Sequence, residues 1–231
     1  MKAQTVFRRY EYKYLVTEEE AKRVLEHMGA SLEADKWGRS TVTSLYYDTP
    51  SYRLIRSSIE KPVYKEKLRL RSYGRAESGS AVFLEIKKKY KSVVYKRRIK
   101  LTCDEAERYM AGNEPYEPSS QIAREIDCFK EYYGGLVPSV YVSGEREAYF
   151  GEGDLRITFD RNILCRSTEL TLKSDPYGMA ILPEGRLLME IKTGLAMPLL
   201  LTEILTRERI YKTSFSKYGT FYIKGGLYKN V

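Results

Sequence analysis

Val63-Tyr64-Lys65-Glu66-Lys67-Leu68-Arg69-Leu70-Arg71-Ser72 sets charged against apolar side chains at almost every step. Residues two apart on a strand share a face, so Lys65, Lys67, Arg69 and Arg71 fall together while Tyr64, Leu68 and Leu70 face the other way. The same rule extends outward along the chain. Glu85, Lys87 and Lys89 oppose Val82, Leu84 and Ile86, and Lys96, Arg98 and Lys100 oppose Tyr95, Arg97 and Ile99. Earlier, Arg9, Glu11 and Lys13 share a face. Later, Arg146, then Arg156 with Asp160, then Glu190 with Lys192 lie opposite apolar neighbours such as Ile157, Phe159, Met189 and Ile191.

About eight strands follow from this alternation: 6–16, 39–48, 63–72, 81–90, 92–101, 138–150, 154–161 and 186–193. Helices are expected over 17–28, 102–111, 120–133 and 198–207, the first two opened by capping boxes pairing Thr17 with Glu20 and Thr102 with Glu105. The stretch 112–120 (GNEPYEPSS) reads as a loop within one domain spanning residues 1–231. The expected class is α+β: an antiparallel sheet closed into a barrel-like tunnel of about eight strands, with peripheral helices covering the apolar outside.

One charged strand face is ordinarily the solvated side of a half-buried sheet. Basic faces on successive strands are different, because like charges on neighbouring strands repel unless carboxylates or a bound anion offset them. With 40 Lys+Arg against 31 Asp+Glu the 231-residue chain carries a net charge of +9, so an anionic partner is expected. Several phosphates on one ligand would match Arg forks and Lys point charges. Glu11, Glu85, Asp160 and Glu190 on the same faces could hold a divalent ion, with a salt-bridge role equally open for Glu85 and Asp160.

Composition removes other chemistries. Cys103, Cys128 and Cys165 form no CxxC pair and read as reduced thiols, mostly buried; the only histidine, His27, reads as a helix-terminal surface residue. There is no P-loop, GxGxxG motif, secretory h-region or stretch long enough to span a membrane, so a cytoplasmic setting is expected. Carboxylates, Lys, Arg and a metal ion suffice for phosphoryl transfer.

In order along the chain, Arg9-Tyr10-Glu11-Tyr12-Lys13-Tyr14, Leu45-Tyr46-Tyr47-Asp48, Lys67-Leu68-Arg69-Leu70-Arg71, Leu84-Glu85-Ile86-Lys87, Tyr95-Lys96-Arg97-Arg98, Pro138-Ser139-Val140 leading to Arg146, Arg156-Ile157-Thr158-Phe159-Asp160, Met189-Glu190-Ile191-Lys192 and Ser214-Phe215-Ser216-Lys217-Tyr218 resemble the polyphosphate polymerase (VTC) domain. That family is the catalytic module of the vacuolar transporter chaperone complex, within the triphosphate tunnel metalloenzyme group. The resemblance covers nearly the whole chain. It implies a tunnel of antiparallel strands that takes ATP or another nucleoside triphosphate with Mn2+ or Mg2+ and adds the γ-phosphate to inorganic polyphosphate.

Carried over residue by residue, it gives Lys13, Arg69, Arg71, Lys87, Lys96, Arg146, Arg156 and Lys192 as the phosphate clamp, Glu190 as metal ligand and catalytic residue, and Glu11, Glu85, Arg98, Asp160, Ser216 and Lys217 around the substrate. Lys217 is implied to be both a clamp and a lid residue. Two departures stand out: Arg9 replaces the first Glu of the ExExK opening of the related CYTH enzymes, and Gly144 replaces a family Tyr two residues before Arg146. The implied module stands alone, without phosphate-sensing domain or membrane helices, and leaves room for a membrane-protein partner that receives the product. The alternatives are a triphosphate hydrolase of the same group and a non-catalytic polyphosphate- or RNA-binding module. Nucleic acid is not the expected partner, because the tyrosines fall mostly away from the basic rows.

Overall fold

Alternation decides which side chains the sheet turns inward. The structure, a computed structural model, describes residues 6–91, 93–112, 116, 120–194 and 196–230. Its strands are β1 (Val6–Val16), β2 (Glu33–Ala34), β3 (Ser40–Asp48), β4 (Tyr64–Tyr73), β5 (Ala81–Tyr90), β6 (Val93–Thr102), β7 (Val137–Phe150), β8 (Arg156–Arg166), β9 (Met179–Ala180) and β10 (Leu187–Thr193). Its α-helices are α1 (Glu18–Met28), α2 (Arg53–Ile59), α3 (Cys103–Ala111), α4 (Gln121–Tyr133), α5 (Leu199–Arg207) and α6 (Lys217–Lys224).

All strand pairs are antiparallel. The order β7-β3-β4-β5-β6-β1-β10-β8, with β8 paired back onto β7, closes an eight-strand ring, and the two-residue strands β2 and β9 hang on β7 and β8. Closure leaves these eight strands without the open edges that would template pairing with another chain.

Helices cover the apolar outer face in two places. Ala106 of α3 with Ile126 and Phe129 of α4 pack over Leu68, Leu70, Leu84 and Ile86, while Val24 of α1 with Leu201 and Ile204 of α5 pack over Ile157, Phe159, Met189 and Ile191. A third cluster sets Ile55 of α2 with Tyr218, Phe221 and Tyr222 of α6 against Tyr46, Val140, Val142 and Leu188 at one end of the ring. Both expected capping boxes form: Thr17 Oγ1 accepts from Glu20 N at 3.1 Å, and Thr102 Oγ1 from Glu105 N at 3.3 Å.

Several local expectations are corrected. Helices α2 and α6 are additions to the expected set: α2 starts from Tyr52 in the left-handed region (φ 57°), which gives no side-chain cap, and its caps come from Asp48 and Thr49 at the end of β3 and just after it. The strand expected from Asp154 begins at Arg156, because Asp154 (φ 63°) turns the chain, and it runs past Arg161 to Arg166. β7 starts at Val137, and its Pro138 sits where the register against β3 shifts between Tyr46 and Tyr47, a bulge where a missing N–H is tolerated. Cys128 is exposed, whereas Cys103 and Cys165 are buried, and burial pushes their thiols up to about 11 and about 12. His27 is exposed on α1. Ser92 and most of the expected 112–120 loop (113–115 and 117–119) lie outside the described residues. Among the described residues no helix is long and apolar enough to cross a membrane.

Leu84 is fully buried between sheet and α3/α4. Leu84→Ala is expected to cost about 2–5 kcal/mol in guanidinium unfolding. A loss below about 0.5 kcal/mol would mean that this outer core is not sealed.

Candidate functional site

The ladder register places charge beside charge on the inner face. Opposite signs meet at Lys13 and Glu190, Glu11 and Lys192, Arg69 and Glu85, Glu85 and Arg98, and Arg146 and Asp160. Like signs meet at Lys65 and Lys89, along the three-strand row Lys67, Lys87, Lys96, and at Lys192 and Arg156. Directly opposed like charges destabilise a sheet, so these rows cost stability in the ligand-free protein.

Four carboxylates hold most of the cations in place. Glu85, with no exposed surface, takes Arg69 through Nε (2.8 Å) and Nη2 (2.7 Å) on Oε2 and Lys96 Nζ (3.2 Å) on Oε1, with Arg98 at 4.0 Å. Asp160, 2% exposed, takes Arg146 bidentately at 2.5 and 2.7 Å and Lys217 Nζ at 2.6 Å. Glu11 takes Lys87 at 2.6 Å. Glu190 takes Lys192 at 2.8 Å on one oxygen and Lys13 at 3.5 Å on the other. Burial opposes ionisation of all four, but the cations win: Glu11 is lowered to about 2, and Glu85, Asp160 and Glu190 lie well below the usual carboxylate range.

Other cations lack such a partner. Among the described residues Lys67 and Arg71 have no carboxylate within ion-pair distance: Lys67 Nζ donates to Ser216 Oγ (2.9 Å), and Arg71, 8% exposed, donates from Nε to Ser44 Oγ (3.2 Å). Burial pulls Lys67 down to about 7, helped by Lys13, Lys87 and Lys65, and burial likewise takes Lys96 to about 7 and Lys192 to about 8. At the opposite end of β4 from Lys65, Arg98 lies 4.5 Å from the Phe83 ring and Arg156 lies 4.9 Å from the Phe150 ring and 3.8 Å from Asp35. Among the described residues, the buried Nε of Arg156 and Oγ1 of Thr158 have no hydrogen-bond partner.

All fifteen residues singled out from the sequence therefore lie on inner-face strands or at the start of α6. Ser216 caps α6, accepting from Gly219 N at 3.2 Å, and the chain just before it closes on β1, where Lys13 Nζ donates to Phe215 O at 2.7 Å. The inner residues outside that set include Lys67, which the alternation places in the basic row, and Tyr46. The expectation that tyrosines avoid the basic rows fails at Tyr46, whose hydroxyl accepts from Arg69 Nη1 at 3.2 Å. Burial raises its phenol, but Arg69, Lys67 and Arg71 outweigh that and lower it to about 7. At Gly144 a Cβ would meet Arg161 O at 3.2 Å and Ile163 Cγ1 at 3.4 Å, so the Tyr seen in the resembled family has no room without backbone movement. Arg97, on the outer face as expected, binds Glu125 of α4 at 2.9 Å.

A family model described as VTC domain matches residues 8–223. No curated protein matches the chain. Among solved structures, a protein from Bacillus halodurans described as a candidate adenylate cyclase superposes with a TM-score of 0.60 at 14% identity, covering 92% of this chain and 96% of the other. A candidate adenylyl cyclase from Hippeastrum, described as having a dominant triphosphatase activity, superposes with a TM-score of 0.54 at 16% identity, covering 94% and 96%. The fold is thus the triphosphate-tunnel ring.

The depressed lysines give a signed expectation. Their folded pKa lies below the unfolded value, so between about pH 7 and pH 10 the free folded protein holds fewer protons than the unfolded chain and its stability rises with pH. A polyanion raises these pKa values again. Calorimetry of tripolyphosphate binding at about pH 8.5 in buffers of different ionisation enthalpy should show net proton uptake, with affinity falling as pH rises above about 7. Zero uptake would contradict the assigned environment of Lys67 and Lys96.

Proposed function

The chain belongs to the VTC-domain family, and on that premise we propose that it transfers the γ-phosphate of ATP, or another nucleoside triphosphate, to the end of an inorganic polyphosphate chain inside the ring. The observation that carries this reading is the in-register stacking of like cations, Lys67, Lys87 and Lys96, in an enclosed interior, an arrangement that a polyanion with several phosphates relieves.

In this reading Lys13, Arg69, Arg71, Lys87, Lys96, Arg146, Arg156, Lys192 and Lys217 neutralise phosphate oxygens, and Ser216 donates its hydroxyl to one of them. Glu85 and Asp160 act on the guanidiniums: by fixing Arg69 and Arg146 before substrate arrives they remove the reorganisation cost of aiming the forks. The reaction breaks the bond from the γ-phosphorus to the β,γ-bridging oxygen and forms one to a terminal oxygen of the polymer. Nucleoside diphosphate leaves and the polymer grows by one unit. The attacking oxygen is already anionic, so no general base is needed, in keeping with an interior free of histidine.

Among the described residues no three His, Cys, Asp or Glu side chains gather as a metal site. Glu190 still fits a Mn2+ or Mg2+ ion that arrives with its nucleotide, since such ions are commonly held by one or two carboxylates plus substrate phosphates. Bound there, the ion would neutralise charge on the transferring phosphoryl group. Phosphates that draw Lys13 and Lys192 away would expose both Glu190 oxygens for this role. Hydrolysis is the second reading, favoured by the triphosphatase activity described for the Hippeastrum protein, with water taking the place of the polymer end.

Incubation with γ-labelled ATP and Mn2+ should yield labelled polymer. Labelled monophosphate alone would assign hydrolysis, and no turnover with retained polyphosphate or RNA binding would assign a binding module. Glu190→Gln should lower synthesis by about 10²-fold or more while metal-free tripolyphosphate binding survives or tightens. Arg69→Ala with Arg71→Ala should weaken binding with or without metal. A Glu190→Gln protein of parental activity would remove the metal assignment.

Affinity for tripolyphosphate should also fall steeply with added salt, because several cations meet one polyanion. A salt-independent affinity would count against the clamp.

A further inference from the structure

Leu45-Tyr46-Tyr47-Asp48 closes β3 with three side chains that serve three different parts of the molecule. Tyr46 points into the ring, where its hydroxyl meets Arg69 at 3.2 Å. Tyr47 packs in the outer core beneath α3 and α4. Asp48 has no exposed surface, yet no cation pairs with it among the described residues. Its Oδ1 accepts from Thr49 N (2.8 Å) and Leu54 N (2.8 Å), and its Oδ2 accepts from Ile55 N (3.0 Å) and from the Tyr218 hydroxyl (2.9 Å).

The bonds from Leu54 N and Ile55 N, with Thr49 Oγ1 accepting from Arg53 N at 3.0 Å, supply α2 with the cap its own Tyr52 does not provide. The fourth bond to Asp48 reaches across to α6. Burial of a carboxylate without a paired cation is costly, and donors on both of its oxygens offset that cost. The Tyr218 bond ties this buried cap to a second helix.

Tyr218 follows directly on the α6 cap, Ser216, and the first α6 residue, Lys217, both of which enter the ring. Ser216 meets Lys67 at 2.9 Å, and Lys217 meets Asp160 at 2.6 Å. The Tyr218 ring packs on the Tyr46 ring with centroids 5.3 Å apart, and Gly219 leaves room for the Ser216 side chain, which a Cβ there would crowd at 3.2 Å. Ser216 and Lys217 thus reach the interior from a short helix near the chain's end that no β-ladder holds. A hydrogen bond to a buried carboxylate is about twice as strong as a neutral one.

We propose that Asp48 and Tyr218 form a latch that positions α6, so that Asp48, which touches no phosphate itself, sets how well Ser216 and Lys217 engage the phosphates of the ligand. The inference rests on the phosphate-clamp reading of the interior. It makes Asp48 and Tyr218 positioning residues, acting through the cap and the first residue of one helix.

A double-mutant cycle on tripolyphosphate affinity tests the coupling. Tyr218→Phe keeps the ring and removes only the latch bond, so it should weaken metal-free tripolyphosphate binding by about 3- to 10-fold. In a Ser216→Ala, Lys217→Ala background the same change should cost less than about 2-fold, because the groups it positions are gone. Amide exchange over 217–224 should quicken in Tyr218→Phe and slow again when tripolyphosphate is added.

An unchanged affinity in Tyr218→Phe, or a full additive loss in the combined variant, would overturn the latch. A parental protein that binds no tripolyphosphate would instead sink the clamp reading on which the latch rests.

Discussion

Everything in this fold depends on holding like charges opposite one another inside a closed ring. The β4–β5–β6 register sets Lys67, Lys87 and Lys96 in one row, and the β10–β8 register sets Lys192 beside Arg156. Each row opposes folding in the absence of an anion. The compensation is visible in the placement of the carboxylates: Glu11, Glu85, Asp160 and Glu190 are distributed round the ring, each tying down one cation or more, while among the described residues Lys67 and Arg71 are two of the inner cations without a carboxylate partner. The interior is stable enough to form and still short of negative charge.

The apolar outer face makes this arrangement affordable. Leu68, Leu70, Leu84 and Ile86 alternate with the charges along the same strands and are buried under α3 and α4, while Ile157, Phe159, Met189 and Ile191 are buried under α1 and α5. Burying such side chains yields about 1.5–3 kcal/mol each, enough in aggregate to outweigh several unfavourable cation contacts. The third cluster is different in kind. It fills one end of the interior with α2 and α6 and so brings a near-terminal segment into contact with charges on β1, β4 and β8.

The inner face was legible in the sequence because strand alternation is strictly local: knowing that Arg69 and Arg71 share a side requires no tertiary information. Ring closure was not local, and it followed from the need to compensate so many cations and from the family resemblance. What escaped the sequence was whatever depends on distant partners. The caps of α2, Asp48 and Thr49, stand four to seven residues before the groups they bind, outside the usual N-cap spacing, and α6 meets the same carboxylate from the other side. Tyr46 read as one aromatic among many, and only the pairing of β3 with β4 sets it opposite Arg69. The salt-bridge role left open for Glu85 and Asp160 is the geometry the structure displays, since both are enclosed by guanidinium and ammonium groups.

Lys67 offers the most direct test of the idea that this interior trades stability for anion binding, because it has no carboxylate to strand when its charge is removed. Lys67→Met keeps the length of the side chain and abolishes the charge. Its unfolding free energy without ligand, measured beside its tripolyphosphate affinity, is the informative pair. The account predicts a variant more stable than the parent at about pH 6, where the lysine is charged, that binds tripolyphosphate less tightly. A variant that is less stable, or that binds as tightly as the parent, would contradict it.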